Sequence, residues 1–291
     1  GIEANKDIDK FFEILEKRLV LAKEALLHRY SVLKNLRVKD LPFVVGQGLM
    51  KGSECLKSEN SIEPILKQGT WAIGFIGLAE TLYSLLGCHH GESEEARKLG
   101  LRIVGFIREY VDRLVEETKL NWSCYATPAE GLSGKFIKHD KKIFGIIKGV
   151  TDKEYYTNSF HIPVNYNISI KDKIDIEAPY HKLCNAGHIS YIEVDDSPSA
   201  ENIVNIINYA YKYTNISYIG INFHIRYCKD CGESLISNES KCPKCNSRNI
   251  QGVSRVTGYL SLDERFGPGK YEERSDRRSH TGSYRNNYEV S

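Results

Sequence analysis

Cys228-Lys-Asp-Cys231, ten residues, Cys242-Pro-Lys-Cys245, and then Gly258 in Ser254-Arg-Val-Thr-Gly-Tyr-Leu260: this stretch carries the reading of the whole chain. Each CxxC lets a tight turn aim two thiolates at one ion. Two such turns complete a tetrahedral shell of four sulfurs, the closed geometry of structural zinc, with no position left for substrate. Gly232 and Pro243 suit the two turns, and the segment between them is long enough only for a small hairpin or loop. Iron–sulfur ligation also uses four thiolates, and reduced or disulfide-forming cysteines are the bland alternative; the ribbon-like spacing favours Zn2+. On its own, Gly258 reads as a bulge or turn glycine in a β-like run.

Working outward, Asp7 to Leu36 reads as a long amphipathic helix, with Ile8, Phe11, Leu15, Leu19, Ala22 and Leu26 at three- and four-residue spacing. Gly69-Thr-Trp-Ala-Ile-Gly-Phe-Ile-Gly-Leu-Ala-Glu80 reads as a buried strand or turn entering a short helix; Gly74 and Gly77 do not meet a dinucleotide-binding fingerprint. Glu94 to Leu120 is a third helix with Ser93 as N-cap, followed by a strand at Trp122–Ala126. Ser197-Pro198 begins a helix reaching Tyr213, and Ser217 to Tyr227 reads as one strand. Mixed helix and strand in this order favours an α/β fold.

The chain has 291 residues, enough for a sizeable core. Its 40 basic against 38 acidic side chains leave a formal charge of +2, which makes no electrostatic case for nucleic acid or an anionic membrane. No apolar run is long enough to span a bilayer and no signal peptide opens the chain, so a cytoplasmic protein is expected. Its first residue is Gly1 and its only methionine is Met50, which suggests a piece of a longer polypeptide. In that setting clustered cysteines favour metal over disulfides.

Arg-Val-Thr-Gly-Tyr-Leu after the knuckle, followed by Arg265-Phe-Gly-Pro-Gly-Lys270, resembles the glycyl-radical end of class III (anaerobic) ribonucleotide reductases. Thr127-Pro-Ala-Glu-Gly-Leu-Ser133, Gly149-Val-Thr-Asp-Lys153, Tyr155-Tyr-Thr-Asn-Ser-Phe-His161 and Lys173-Ile-Asp-Ile-Glu-Ala-Pro-Tyr180 also resemble that family's motifs, in order, from about Gly69 to Lys270.

The resemblance implies the C-terminal part of a ten-stranded α/β barrel. The domains expected are a partial barrel over 1–226, the four-cysteine zinc knuckle over 227–250, a glycyl radical loop over 251–270 and a charged, flexible tail over 271–291. It implies that Gly258 holds a stored radical, made by an activating enzyme that brings S-adenosylmethionine and an iron–sulfur cluster, and that the complete enzyme is a homodimer. Glycine suits this role: without a Cβ, its Cα radical can lie flat between two amides. The implied reaction reduces ribonucleoside triphosphates through a thiyl radical, with formate or a thiol system as reductant. No counterpart to the thiyl cysteine loop occurs before Gly69, Cys55 lacks its pattern, and the ATP-binding regulatory domain is missing.

Glu130, at a strand end, is a candidate to bind ribose hydroxyls or act as a base, against a solvated loop glutamate. Asn158, Ser159 and His161 are candidates to line the substrate site, against a satisfied structural histidine. Cys88-His89-His90 reads as a helix-end loop, and Cys124 and Cys184 as buried apolar residues with a thiol-reductant role open. A non-catalytic radical and zinc module completed by a separate subunit, and a zinc-ribbon binding protein, are the alternatives.

Overall fold

The computed structural model describes residues 1–129, 131–194, 198–223, 225–235, 240–255 and 258–280. The first long helix, α1 (Ile8–Leu33), begins where Asp7 accepts a hydrogen bond from the Lys10 N–H at 2.9 Å. One short turn, α2 (Glu63–Leu66), precedes β1 (Thr70–Phe75) and α3 (Leu78–Leu86). Ser93 caps α4 (Glu94–Thr118), its Oγ accepting from the Ala96 N–H at 3.1 Å. Ala96, Leu99, Ile103, Val104, Ile107, Val111 and Leu114 form a buried stripe along α4, and Lys119 ends it in the left-handed region at φ 57°. Then follow β2 (Asn121–Ala126), α5 (Leu132–Phe144), α6 (Ile170–Leu183), β3 (Ser190–Glu193), α7 (Ala200–Tyr213) and β4 (Ile219–Asn222).

β1 and β2 pair in parallel with Ile73 opposite Cys124, and β3 and β4 pair in parallel with Ile192 opposite Ile221. The chain entering β3 lies along the free side of β2: Ala186 N–H donates to Cys124 O, Ala126 N–H donates to Gly187 O, and Tyr125 bridges Gly187 in parallel. The strands therefore succeed one another β1, β2, β3, β4, each pair joined through helices, as parallel pairing requires. Their C-terminal ends gather the polar residues described below, the place where α/β folds collect ligand groups.

The main core packs α1, α3, α4 and the end of α6 against β1 and β2. Leu82, Val104 and Val111 are fully enclosed there, each worth about 1.5–3 kcal/mol of transfer free energy. A second core of Ile170, Ile174, Ile192, Val194, Ile206 and Ala210 joins α6 and α7 to β3 and β4.

Beyond β4 the architecture changes. β5 (Ile225–Cys228), β6 (Ser234–Leu235), β7 (Ile250–Arg255) and β8 (Leu260–Leu262) form an antiparallel sheet in the order β6-β5-β7-β8, followed by α8 (Pro268–Asp276).

Three sequence expectations need correction here. The single strand over 217–227 is two strands in different sheets, because the chain leaves the parallel sheet after Asn222. The cap of α7 is Ser199, which accepts from Asn202 N–H at 3.1 Å; Ser197 lies outside the described residues. The charged stretch expected as a tail continues α8 to Asp276 and stays folded to His280, with Glu273 and His280 buried.

Candidate metal centre and glycine hairpin

Cys228 ends β5 and Cys231 follows in its turn, where Gly232 takes φ 78° and donates its N–H to Cys228 O at 3.0 Å. Cys242 and Cys245 form the second turn, closed by Asn246 N–H on Cys242 O at 2.8 Å with Asn246 at φ 60°. Asp230 ties the turns together by accepting from Ser247 Oγ and Asn249 Nδ2.

All four sulfurs lie within 4.8 Å of one another, and Cys228–Cys245 and Cys231–Cys242 stand at 3.6 and 3.5 Å. A tetrahedron with metal–sulfur bonds of ~2.3 Å has edges of ~3.8 Å, so the donor set fits one zinc ion. Burial opposes ionisation of Cys228, but the N–H groups of Cys231 and Asp230 outweigh it and draw the thiol down to about 7. At Cys231 the Glu233 N–H favours the thiolate, yet burial and the neighbouring sulfurs push the thiol up to about 12.

β7 starts opposite this centre, with Ile250 paired to Cys228, and ends at Arg255, paired to Leu260. Gly258 lies in the connection between β7 and β8. Five strand rises of ~3.3 Å put the hairpin end ~17 Å along β7 from the metal end. No described atom stands within 4 Å of where a Gly258 Cβ would be, and Tyr259 and Leu260 are exposed. The described residues thus supply no apolar cover for Gly258. Lys270 of α8 stands 4.6 Å over the ring of Tyr259.

Glu130 lies outside the described residues, but Ala129 beside it is fixed: its N–H donates to Asn158 Oδ1 at 2.7 Å. Asn158 Nδ2 donates to Glu273 Oε2 of α8 at 3.1 Å. Ser159 is buried with the strained φ of 43°, and its O accepts from Leu78 N–H. His161 is buried with Nδ1 3.5 Å from Glu177 Oε1. Asn158, Ser159 and His161 therefore share one buried loop between α5 and α6. Asn158 and His161 line a small cavity with Tyr155, Tyr191, Arg277 and His280.

Sequence reasoning missed most of the charged partners. Glu177 is enclosed with Lys173 beside it on α6 and accepts from Ile162 N–H at 3.1 Å. Burial opposes its charge, but Lys173 and then His161 hold its carboxyl well below the ordinary range. Glu80 accepts from the Thr157 N–H and Oγ1, yet burial outweighs these bonds and pushes its carboxyl up. A charge pair at i, i+4 on α6 was the available signal for Lys173 and Glu177; Arg277, in a charged run, offered none.

Cys88-His89-His90 is the loop between α3 and α4; His90 shares a 2.8 Å hydrogen bond with Phe160 O, and burial pushes it down to about 3. Cys124 and Cys184 are fully buried side by side, and the Cys184 thiol is raised by its hydrogen bond with Cys124 and by burial. Among the described residues the four-cysteine set is the one group of three or more such ligands positioned for a metal. None of the described helices is long and apolar enough to cross a membrane.

The described residues thus form a mixed α/β body with a four-cysteine cluster and an adjacent glycine hairpin. The chain belongs to the anaerobic ribonucleoside-triphosphate reductase family, whose sequence profile matches residues 1–280. It is 37% identical to the anaerobic ribonucleoside-triphosphate reductase of Escherichia coli over 97% of this chain and 41% of that protein. It is 33% identical to that of Enterobacteria phage T4, over 93% of this chain and 44% of that protein. The chain thus spans about two fifths of the length of the curated relatives it matches. Its fold resembles a solved anaerobic ribonucleotide reductase with a TM-score of 0.76 at 22% identity, over 95% of this chain and 42% of that one. The Thermotoga maritima enzyme with glycerol in the active site gives a TM-score of 0.74 at 22% identity, over 93% of this chain and 41% of that one.

Proposed function

We propose that this chain is the radical-bearing, zinc-binding C-terminal part of an anaerobic ribonucleotide reductase that reduces ribonucleoside triphosphates for DNA synthesis. The observation that carries the reading is the joining of the four-sulfur centre and Gly258 by one antiparallel strand, β7, in a chain of this family. Zinc held by Cys228, Cys231, Cys242 and Cys245 would staple the base of the sheet, as a closed structural site does. The hairpin end is then free to present Gly258.

In the proposed chemistry Gly258 gives up one Cα hydrogen atom, and the radical is delocalised over its two flanking amides. An activating enzyme bringing S-adenosylmethionine and an iron–sulfur cluster supplies that oxidation. The glycyl radical takes a hydrogen atom from a cysteine thiol that this reading assigns to polypeptide upstream of residue 1. The thiyl radical takes the ribose 3′ hydrogen, the 2′ hydroxyl leaves as water, and an external reductant supplies the electrons.

The parallel strands are read as part of a ten-stranded barrel over 1–226. The sheet over 227–250 is read as its zinc knuckle, and 251–270 as the radical loop. The exposure of Gly258, Tyr259 and Leu260 supports further polypeptide covering the loop. Asn158, Ser159 and His161, with Glu130 beside the anchored Ala129, are proposed to line the substrate site. A homodimer of the complete enzyme, in the cytoplasm, completes the reading. Two of the lysines near the knuckle are paired with acids, Lys229 with Glu264 and Lys244 with Glu233, which weighs against a nucleic-acid-binding ribbon. The test is to combine this chain with polypeptide that supplies the thiyl cysteine and to assay deoxyribonucleotide formation after anaerobic activation. Product that depends on Gly258 supports the reading; activation with product from the Gly258→Ala chain refutes it.

A further inference from the structure

Arg255 ends β7 three residues before Gly258, and its guanidinium donates to Asn222 Oδ1 from Nε at 3.1 Å and from Nη2 at 2.7 Å. Asn222 ends β4, and its Nδ2 donates to Glu193 Oε1 at 2.8 Å. Glu193 ends β3, and the same Oε1 accepts from Arg277 Nη1 at 2.8 Å. Arg277 is the C-cap of α8, and that Nη1 also donates to the backbone O of Arg255 at 2.8 Å. The four residues thus close a ring that joins the ends of two parallel strands, the last residue of β7 and the end of α8.

The ring is well seated. The Arg277 and Glu193 side chains are 11% and 16% exposed. His280 reinforces Glu193 through its backbone, N–H to Glu193 O at 2.8 Å, while Glu193 N–H donates to His280 Nδ1 at 3.0 Å. The Arg255 guanidinium lies 5.2 Å over the Tyr191 ring. Gly220 of β4 leaves the room: a Cβ there would stand 2.6 Å from Arg255 Nη2 and 3.0 Å from Tyr191 Cδ1.

We propose that the ring of Glu193, Asn222, Arg255 and Arg277 is a latch that fixes the Gly258 hairpin to the C-terminal ends of the parallel strands and must open before the hairpin can move away from them. The proposal deepens the assignment of Gly258 and rests on it for its role in activation. These four are positioning residues. Arginine is the residue type the geometry demands: one planar group reaches a carboxylate and a backbone carbonyl together, which a lysine ammonium on a flexible stem does with less fixed geometry. Because each member holds its neighbours, breaking the ring at any side should release the same unit.

The test is hydrogen–deuterium exchange of the full chain, read on a peptide covering β7 and β8 and on a control peptide from α4 and β2. Arg277→Gln and Asn222→Ala should each raise exchange in the hairpin at least tenfold and leave the control unchanged. The double variant should exchange no faster than the worse single, and Arg277→Lys should recover part of the protection. Gly220→Ala, which removes none of the ring's polar groups, should loosen the same peptide by displacing Arg255. With the activating enzyme present, Arg277→Gln should develop its radical signal faster than the parent. Unchanged hairpin exchange, additive effects in the double variant, or equal loosening of the control peptide would each overturn the latch. If the exchange results hold but no variant and no parent chain forms a radical, the latch stands and the role of Gly258 fails.

Discussion

Replacing Lys173 by Met removes the cation from a pair that is almost wholly enclosed, the Lys173 and Glu177 side chains being 6% and 0% exposed. Glu177 keeps the Ile162 N–H at 3.1 Å and the His161 ring at 3.5 Å, which is less than a buried carboxylate needs. Burial holds His90, His181 and His280 down at about 3, so these neighbours stay neutral and supply no replacement cation. Stranding one member of a buried pair costs about 3–5 kcal/mol, on the order of 10 °C in Tm for a chain of this size. The pH dependence has a definite sign. In the parent the depressed Glu177 contributes stability above its unfolded pKa of ~4.3, lost only as pH falls through the lower folded value. In the variant burial is opposed only by the Ile162 N–H and the His161 ring, so the folded pKa rises and the deficit relative to the parent grows as pH rises. The deficit should be full at pH 7 and about 1 kcal/mol or more smaller at pH 4.5, measured from urea midpoints. Adding Glu177→Leu should restore part of the loss. A Lys173→Met chain within about 1 kcal/mol of the parent at pH 7, or a deficit that does not change with pH, refutes the argument.

Purified chain should hold about one zinc ion, and Cys231→Ser should lower that content and make the β5–β8 sheet protease-sensitive; full zinc retention would remove Cys231 from the ligand set. Glu80→Gln should match the parent near pH 5 and exceed its stability at pH 8–9, because the raised Glu80 carboxyl contributes stability at low pH that is lost as pH climbs through its folded value. A Glu80→Gln chain that loses ground to the parent as pH rises contradicts that sign. The chain alone, activated anaerobically, should give no deoxyribonucleotide product; turnover would mean that it contains its own thiyl cysteine, with the exposed Cys55 the first to examine.

Helices α1, α3, α4 and α7 and the four-cysteine cluster were legible in the sequence for local reasons. Asp7 and Ser93 cap their helices as short acceptors do, the α4 stripe repeats at helical spacing, and the four cysteines declare themselves by spacing alone. The break at Phe223 was not legible, because Ile219–Asn222 and Ile225–Cys228 are equally strand-like and only tertiary pairing assigns them to different sheets. Nor was α8: its nine residues carry five charged side chains, and what folds it is the burial of Glu273 on Asn158 and the seating of Arg277 on Glu193 across the chain. Asn158 was picked out by motif, but its bond to Ala129, which fixes the approach to Glu130, depends on long-range packing that no local pattern encodes.

The assignment of Gly258 is tested most directly by mapping oxygen cleavage after anaerobic activation of the chain by an S-adenosylmethionine-dependent iron–sulfur activating enzyme. A radical stored at Gly258 should give an electron paramagnetic resonance doublet from its one remaining α-hydrogen. Admission of oxygen should then break the backbone there, separating residues 1–257 from the 33 that follow 258 in a chain of 291, with all four clustered cysteines on the larger fragment. Gly258→Ala should give neither doublet nor break. Cleavage mapped to Gly252, Gly267 or Gly269, or a doublet that persists in Gly258→Ala, would contradict the account.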